Sequence, residues 1–297
     1  MSSNKNARRP SLACEIAADR VLVGRAADQG RMVEMSAARE LAPGTVVPDL
    51  MEPNLRNGSA LRQAIESALG GVGGRSRDVI AILPDTSVRV VLLDFETLPE
   101  KREEAEAVVR FRLKKSLPFD PEEARISYHA QPAGKALQVV AAVVLKSVLE
   151  EYESAFRDAG YSPGVVLPSM LAALGAADAE LPTLVVKVDA HTIGIAILDQ
   201  ENLLLIRTLE NTRGVTITGD QLAEEIYPSV VFFQDTYNLN IERIYVAGLP
   251  DTSGAAIALK SQSGALVEEL ITASQIGSTT GTVPRWRMAG VVGALIS

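Results

Sequence analysis

Two stretches in the two halves of this 297-residue chain share one pattern of short strands and tight turns. Residues 14–23 align with residues 186–195, so that Glu15 pairs with Lys187 and Ala17 pairs with Asp189. Each stretch predicts a strand, a bend, a second strand, a turn and a third strand. Any two three-stranded meanders resemble one another, so the pattern alone leaves a duplicated domain and a coincidence equally open.

Hydrophobic periodicity predicts the other elements of the first half. A helix is expected to begin at Ser59 and to end at Gly70, and the chain from residue 88 to 161 predicts a strand, a helix, two strands and a helix that begins at Ser147. This segment could form a compact α/β module inserted in a larger domain. The predicted strands before it are residues 12–16, 20–26, 31–35 and 79–83.

The second half repeats the order of strands followed by a helix. After an Ala/Leu-rich helix at residues 168–177, Pro182 marks a break. The strands predicted beyond it are residues 183–189, 193–198, 203–209 and 242–247, with a long helix from Gly219 and two helices at the end of the chain. The resulting boundaries are a flexible amino terminus (1–10), a first domain (11–87 and 162–181), an inserted module (88–161) and a second domain (182–297).

Composition excludes several classes of function. There are 29 Lys and Arg residues against 37 Asp and Glu residues, a net charge of −8 without a basic block, which argues against nucleic acid as a partner. A single cysteine, Cys14, and two distant histidines, His129 and His191, make a metal site unexpected. No apolar run approaches the roughly 20 residues of a membrane-spanning helix, and no signal peptide is visible. We therefore expect a cytoplasmic protein without direct membrane insertion.

The most specific stretch runs from Val79 to Tyr128. It contains a strand, a loop with small residues, a strand ending in Leu98-Pro99, a helix followed by Pro118-Phe119, and an acidic link to the next strand. This arrangement resembles the PilM family of type IV pilus assembly, actin-like proteins that are also similar to the cell-division protein FtsA. The resemblance covers nearly the whole chain and implies an α/β, two-domain actin-like (ribonuclease H-like) fold with a small α/β module inserted in the first domain.

The resemblance also points to a nucleotide site, at which this chain departs from the pattern. Relatives carry Asp-Ile-Gly in each hairpin, where the acid holds hydrated magnesium and the glycine lets a phosphate approach the backbone. The first hairpin here has Glu15 and Ala17 at these positions, which adds a methyl group. The second has Lys187 and Asp189, so a cation replaces the acid and a carboxylate stands where a phosphate would approach.

A third departure concerns the subdomain that covers the adenine in relatives. It is inserted after the helix that follows the second hairpin, whereas residues 219–237 here run directly into the strand that follows. The loop that contacts adenine is reduced to residues 247–250, with Gly248. We therefore predict a degenerate nucleotide site at Glu15, Ala17, Lys187, Asp189 and Gly248, with no catalytic residue, cofactor or metal. Retained ATP binding, as an ATPase or an ATP-dependent switch, is the alternative.

The function that the resemblance implies is that of a non-catalytic scaffold on the cytoplasmic side of the inner membrane. Such a scaffold would bind the amino-terminal peptide of a PilN-like membrane protein, and other platform proteins, in a groove between the first domain and the module. The residues expected to border the peptide are Val90, Leu92, Arg110, Phe111, Leu117 and Phe119, although Phe111 and Phe119 could instead pack inside the module. A cytoplasmic domain like that of GspL, from type II secretion, is a second alternative.

Overall fold

The structure is a computed structural model that describes residues 9–27, 30, 32–134, 136–277 and 283–297. Most of the amino terminus that the sequence predicts to be flexible, residues 1–8, lies outside the described residues. From the start to residue 174 the elements are β1 (Leu12–Ile16), β2 (Arg20–Ala26), β3 (Val33–Glu40), α1 (Gly58–Val72), β4 (Asp78–Leu83), β5 (Arg89–Phe95), α2 (Arg102–Leu113), β6 (Ala124–Ala133), β7 (Ala136–Leu145), α3 (Lys146–Asp158), β8 (Ser162–Pro168) and α4 (Ser169–Leu174).

Among the described residues, the second half contains the five strands of a second sheet and three helices, the last of which is short. Its elements are β9 (Thr183–Val188), β10 (Thr192–Asp199), β11 (Asn202–Glu210), α5 (Gly219–Tyr237), β12 (Arg243–Ala247), α6 (Ser253–Ser263), β13 (Leu266–Glu269) and α7 (Ala289–Ile296). Thr218 and Gln221 form a capping box at the start of α5, which explains why that helix begins at the predicted residue.

The two five-stranded sheets have the same topology. Their strand orders are β3-β2-β1-β4-β8 and β11-β10-β9-β12-β13. In each sheet the first three strands form an antiparallel meander and the last two run parallel to the strand at its centre. The similarity between residues 14–23 and 186–195 is therefore a repeat of the fold, because the same pattern of strands occupies the same place in both sheets.

The inserted segment forms a third sheet of three strands in the order β5-β7-β6. Helix α2 covers one face with Ala105, Val109 and Leu113, which pack against Leu93 and Val139. The order of strand, helix, strand, strand and helix agrees with the sequence prediction. The last helix of that order, α3, packs elsewhere: Val148, Tyr152 and Phe156 join the core beneath α1. Helix α3, which the sequence assigned to the module, thus packs against α1 and β8 of the first domain as well as against β7.

Helix α7 returns from the second half to the first sheet. Its side chains are almost all buried, and Val291 and Leu295 pack over β2 at Gly24, where a Cβ would lie 2.4 Å from Val291 Cγ1. The sequence interpretation counted this helix with the second domain. Its short, uniformly apolar sequence carries no sign of which sheet it covers, since either sheet offers an apolar face.

Several local predictions were wrong. Strands β8 and β13 were not predicted, because Pro163, Gly164 and Pro168 are typical of loops and β13 has only four residues. Ser147 does not cap α3, since the residue before that helix is Leu145, which makes no side-chain capping bond. The five residues 238–242 join α5 to β12 without any further helix or strand, as the sequence predicted.

Candidate functional site

The ends of β1 and β9, the central strands of the two large sheets, meet in the cleft between the domains. Glu15 lies on β1 and Lys187 on β9, and both are only 3% exposed. The other residues of both strands are buried and, apart from Thr183, apolar, with the sequences LACEI and TLVVKV. A buried carboxylate and a buried ammonium group in such strands require partners, and each provides one for the other.

An ionic cluster links the two domains at this point. The Lys187 ammonium group donates a hydrogen bond to the carboxylate of Asp189, and its Nζ lies 3.5 Å from Glu15 Oε1. Arg20 Nη2 donates to Asp189 Oδ1 at 3.1 Å, and Arg20 Nη1 lies 2.8 Å from Asp19 Oδ1. Two cations therefore bind carboxylates from both domains, which links the two domains without an added ligand.

The electrostatics of the cluster keep Lys187 and Asp189 charged. Burial by itself would lower the pKa of the Lys187 ammonium group, but the carboxylates of Asp189, Glu15 and Asp85 outweigh burial and raise that pKa above its ordinary value. Burial of Asp189 acts to raise its pKa, whereas Lys187 and Arg20 together hold the pKa below the ordinary value. The ion pair therefore persists throughout the physiological pH range.

Asp85, which lies two residues after β4, is a further acid that borders the same cleft. Asp85 Oδ1 accepts a hydrogen bond from the backbone N–H of Met170, 2.8 Å away, at the start of α4. No ammonium or guanidinium group of the described residues lies within 4.0 Å of its carboxylate. Burial raises the pKa of Asp85 to about 6, although Lys187 and the bond from Met170 act in the opposite direction.

Asp85 should make the stability of the protein depend on pH. Its pKa is about 6 when folded and 3.8 otherwise, so the folded state binds more protons between these values. The free energy of unfolding should therefore fall as pH rises from about 4 to 7, by roughly 1–3 kcal/mol. Urea unfolding of wild type and Asp85→Asn isolates this contribution, because the variant should gain stability relative to wild type across that window. A constant difference between the two proteins would contradict the raised pKa.

A cavity of about 530 Å³ opens beside the cluster. Its walls are mainly apolar and come from the turn after β1 and from the loop before α1, including Ile16, Ala18, Leu41, Val46 and Pro48. The polar residues that line it are Glu15, Asp19, Asp85, Thr86, Ser169, Asp189, His191 and Thr192. Neither Lys187 nor Arg20 lines the cavity, because both are turned toward their carboxylate partners.

Four of the five residues predicted for a degenerate nucleotide site come together in this cleft: Glu15, Ala17, Lys187 and Asp189. Gly248 does not line the cavity. It has a φ of +86° and lies so close to β9 that a Cβ would be 1.7 Å from the carbonyl oxygen of Val188. Close packing of two backbones therefore accounts for this glycine.

The N–H, ammonium and carboxylate groups of this cleft do not suit a nucleotide with its magnesium ion. The backbone N–H of Ala17 donates to the carbonyl of Arg20 at 2.9 Å, so it is not free to bind a phosphate. The Lys187 ammonium group already contacts two carboxylates, and the acids at the surface of the cavity would repel phosphate. Within the described residues, no group of three or more His, Cys, Asp or Glu side chains is placed to hold a metal ion.

Three residues of the site were not predicted from the sequence. Ser169 donates through its hydroxyl to Glu15 Oε1, and Arg20 and Asp85 contribute the contacts described above. Each lies at or near the end of a buried strand. Arg20 is the first residue of β2, Asp85 lies two residues after β4, and Ser169 directly follows β8. A polar residue at the boundary of an apolar strand was the available signal, but it does not reveal which boundaries face one another.

The residues expected to border a partner peptide do not share one groove. Phe111 is 73% exposed on α2, whereas Leu117 and Phe119 are partly buried against the core of the module. Arg110 is bound within the module, where Nη2 donates to Glu106 Oε1 at 3.0 Å. Three of the predicted contacts thus serve the module's own packing.

Val90 and Leu92, the other two residues expected to border the peptide, lie on strand β5. Val90 lines a cavity of about 480 Å³ between β5 and β11, and Leu92 packs against the core between the domains. A separate apolar groove of about 260 Å³ lies between the module and the first domain. Ser127 and Ala142 of the module's sheet line one side of it, and Leu149 of α3 and Val166 of β8 line the other.

Comparison by sequence gives no relative: no family model matches the chain, and no curated protein is similar to it. Comparison of structures is informative. A PilM protein from a PilM–PilN type IV pilus biogenesis complex matches with a TM-score of 0.77 at 19% identity, over 96% of this chain and 97% of the other. The chain has a PilM-like actin fold. This confirms the fold class that the resemblance implied.

Two further structures agree with the PilM-like fold. The cytoplasmic domain of EpsL, an inner-membrane component of the type II secretion system of Vibrio cholerae, matches with a TM-score of 0.55 at 13% identity, over 96% of this chain and 94% of the other. A Bacteroides thetaiotaomicron protein with an actin-like ATPase fold and unknown function matches with a TM-score of 0.52 at 12% identity, over 90% and 93%. At such identities the similarity establishes the fold.

Among the residues that the structure describes, no helix is long and apolar enough to cross a bilayer.

Proposed function

We propose that this protein is a non-catalytic scaffold of a type IV pilus platform, held at the cytoplasmic face of the inner membrane by a PilN-like partner. The observation that carries the proposal is the match to PilM in a PilM–PilN complex over nearly the whole of both chains. The ionic cluster supports the non-catalytic role, because Lys187 supplies from within the chain the positive charge that a bound metal would bring.

The groove between the module and the first domain is the proposed peptide site. It has a volume of about 260 Å³ and is largely apolar, which suits the apolar side chains of an extended peptide. Arg125 at its edge can offer a guanidinium group to a peptide carbonyl or carboxylate. The groove differs from the surface predicted from the sequence, which included Phe111 on the far face of the module.

A tryptophan in this groove should abolish peptide binding. Ser127 is exposed on β6 and lines the groove, so Ser127→Trp fills it without disturbing a buried contact. We expect the affinity for a peptide from the amino terminus of a PilN-like protein to fall at least tenfold, measured by isothermal titration calorimetry. Ala130→Trp, exposed on the same strand outside the groove, is the matched control and should bind normally.

The variant Phe111→Ser distinguishes peptide binding in this groove from peptide binding at the surface of α2 predicted from the sequence. If the peptide binds on α2, the Phe111 variant loses affinity and Ser127→Trp does not, which would overturn the assignment of the groove. Failure of every PilN-like peptide to bind folded wild-type protein would count against the pilus scaffold itself.

A cytoplasmic domain of a type II secretion platform is the second candidate, favoured by the match to EpsL. Its lower TM-score, 0.55 against 0.77, makes the pilus assignment the better supported one. Genes for a PilN-like and PilO-like pair beside the gene for this protein would support the pilus, and a full general-secretion set would support the alternative. Micromolar ATP affinity that falls when Glu15 is changed would instead establish a nucleotide-dependent switch.

A further inference from the structure

Strand β11 has an edge that no strand of the described residues covers. It is the outermost strand of the second sheet, next to β10. The backbone N–H of Asn211, directly after β11, donates to the carbonyl of His191, so this pair is a hydrogen-bonded position of the antiparallel ladder. Such positions alternate with non-hydrogen-bonded ones, and the register is unbroken from residue 205 to 210. The N–H and C=O groups of Ile206 and Thr208 therefore point away from β10.

The chain itself closes one end of this edge. Gln131 of the module is 4% exposed, and its side-chain amide donates to the carbonyl of Leu203 at 2.6 Å and accepts from the Leu203 N–H at 3.1 Å. A neighbouring strand would make the same two bonds with the backbone of Leu203. Within the part of the chain that the structure describes, no such partner reaches the outward groups of Ile206 and Thr208. The edge is thus closed at its start and open further along.

The open part of the edge faces the cavity of about 480 Å³ between β5 and β11. Ile206 and Thr208 line this cavity from β11, and Val90 lines it from β5. The space shows that the edge is not packed against β5 at this point. A backbone that entered the cavity would therefore meet donors and acceptors that are available for pairing.

The charges at this cavity are mainly positive. Arg89 of β5 and Arg207 of β11 line it, and neither guanidinium group lies within 4.0 Å of a carboxylate of the described residues. Neutral groups hold Arg207, since its Nη1 donates to Ser229 Oγ at 3.4 Å and its guanidinium carbon lies 4.9 Å from the centre of the Phe232 ring. Asp85 is the one acid among the described residues that lines the cavity. Two cations thus face a single acid, in a chain of net charge −8.

We propose that β11 binds an extended, acidic segment of a partner protein, which adds to the second sheet as a further strand. Backbone hydrogen bonds with Ile206 and Thr208 provide the affinity, as in other complexes in which a peptide joins an exposed sheet edge. The guanidinium groups of Arg89 and Arg207 select carboxylates of that segment. This surface is separate from the groove between the module and the first domain, so a scaffold could hold two partners at once.

Four pentapeptides test the charge and the strand pairing. The acidic peptide is acetyl-Val-Glu-Val-Glu-Val-amide, and two others carry Gln or Lys in place of both Glu residues. The fourth is the acidic peptide with every residue N-methylated, which keeps the charges and lacks backbone N–H donors. Binding to the full chain is measured by calorimetry at low salt, and the amide NMR signals of Ile206 and Thr208 locate the site.

We expect the acidic peptide to bind at least tenfold more tightly than the Lys peptide, with the Gln peptide between them and no binding of the N-methylated one. The signals of Ile206 and Thr208 should shift on binding. Replacing both Arg89 and Arg207 by Gln should remove the preference for the acidic peptide over the Gln peptide. Arg62→Gln, an exposed arginine of α1, is the matched control and should retain that preference.

Proline at position 208 tests the backbone contact within the protein. Thr208→Pro removes an N–H that points away from β10, so the ladder to β10 is kept, and proline is tolerated at such edge positions. The affinity for the acidic peptide should fall at least tenfold. Thr208→Val keeps the N–H and should change the affinity less than twofold.

Several results would overturn the proposal. These are no binding of the acidic peptide, equal binding of the three charge variants, tighter binding of the Lys peptide, and affinity that survives both N-methylation and Thr208→Pro. Dimers of the free protein that Thr208→Pro abolishes would assign the edge to a second copy and would overturn the acidic partner. Ser127→Trp in the peptide groove should leave this binding unchanged, so this proposal and the proposed function fail separately.

Discussion

Replacing Lys187 by methionine is expected to lower the free energy of unfolding by about 3–5 kcal/mol. Methionine preserves the length of the side chain but leaves the carboxylates of Glu15 and Asp189 facing one another in a buried site with one cation fewer. Equilibrium unfolding in urea measures the change through the transition midpoint. Lys260→Met, on the exposed surface of α6, is the matched control and should change stability by less than about 0.5 kcal/mol.

A second substitution tests whether the loss arises from uncompensated charge. Adding Glu15→Gln to Lys187→Met removes one of the two stranded carboxylates, while the amide oxygen can still accept from Ser169. The double variant should therefore recover at least about 1 kcal/mol relative to the single one. A double variant that is less stable than Lys187→Met would show that packing, and not charge, determines the effect.

Replacing Gly248 by alanine should destabilise the protein by about 3–5 kcal/mol or prevent folding. The added Cβ would lie 1.7 Å from the carbonyl oxygen of Val188, and the φ of +86° is already unfavourable for a residue with a side chain. Gly264→Ala is the matched control. That glycine has a φ of +72° with no atom within 4 Å of the added Cβ, so it should cost only about 1 kcal/mol.

The Gly248 result also bears on the interpretation of this residue as a remnant of an adenine loop. Thermal and urea unfolding of the two glycine variants measure the destabilisation caused by crowding, because both glycines have a positive φ and only Gly248 has atoms close to the added Cβ. Equal losses for Gly248→Ala and Gly264→Ala would show that the close approach to β9 has little cost. The glycine would then require another explanation.

The amino-acid sequence by itself determined the local strands and turns of the two halves, whereas their equivalence as a repeat was established by the matching strand orders of the two sheets. Apolar strands with fixed spacing, such as Cys14–Val23 and Val186–Ile195, specify local meanders whose contacts are close in sequence. The same locality explains why the helix boundaries at Gly219 and the strands of the module were predicted well. The residues Ala17, Lys187 and Asp189 also indicated, without a structure, that the two hairpins differ from the Asp-Ile-Gly pattern of the family that the chain resembles.

Only the tertiary structure decided which contacts these hairpin residues make. Lys187 and Glu15 are 172 positions apart, and Asp85 reaches the same cleft from a third element, so no sequence periodicity relates them. The positions of α3 and α7 were likewise decided by packing, because an apolar helix face fits any complementary sheet. Burial then converted ordinary charged residues into a closed ionic cluster, since a charge removed from water is stable only beside its partner.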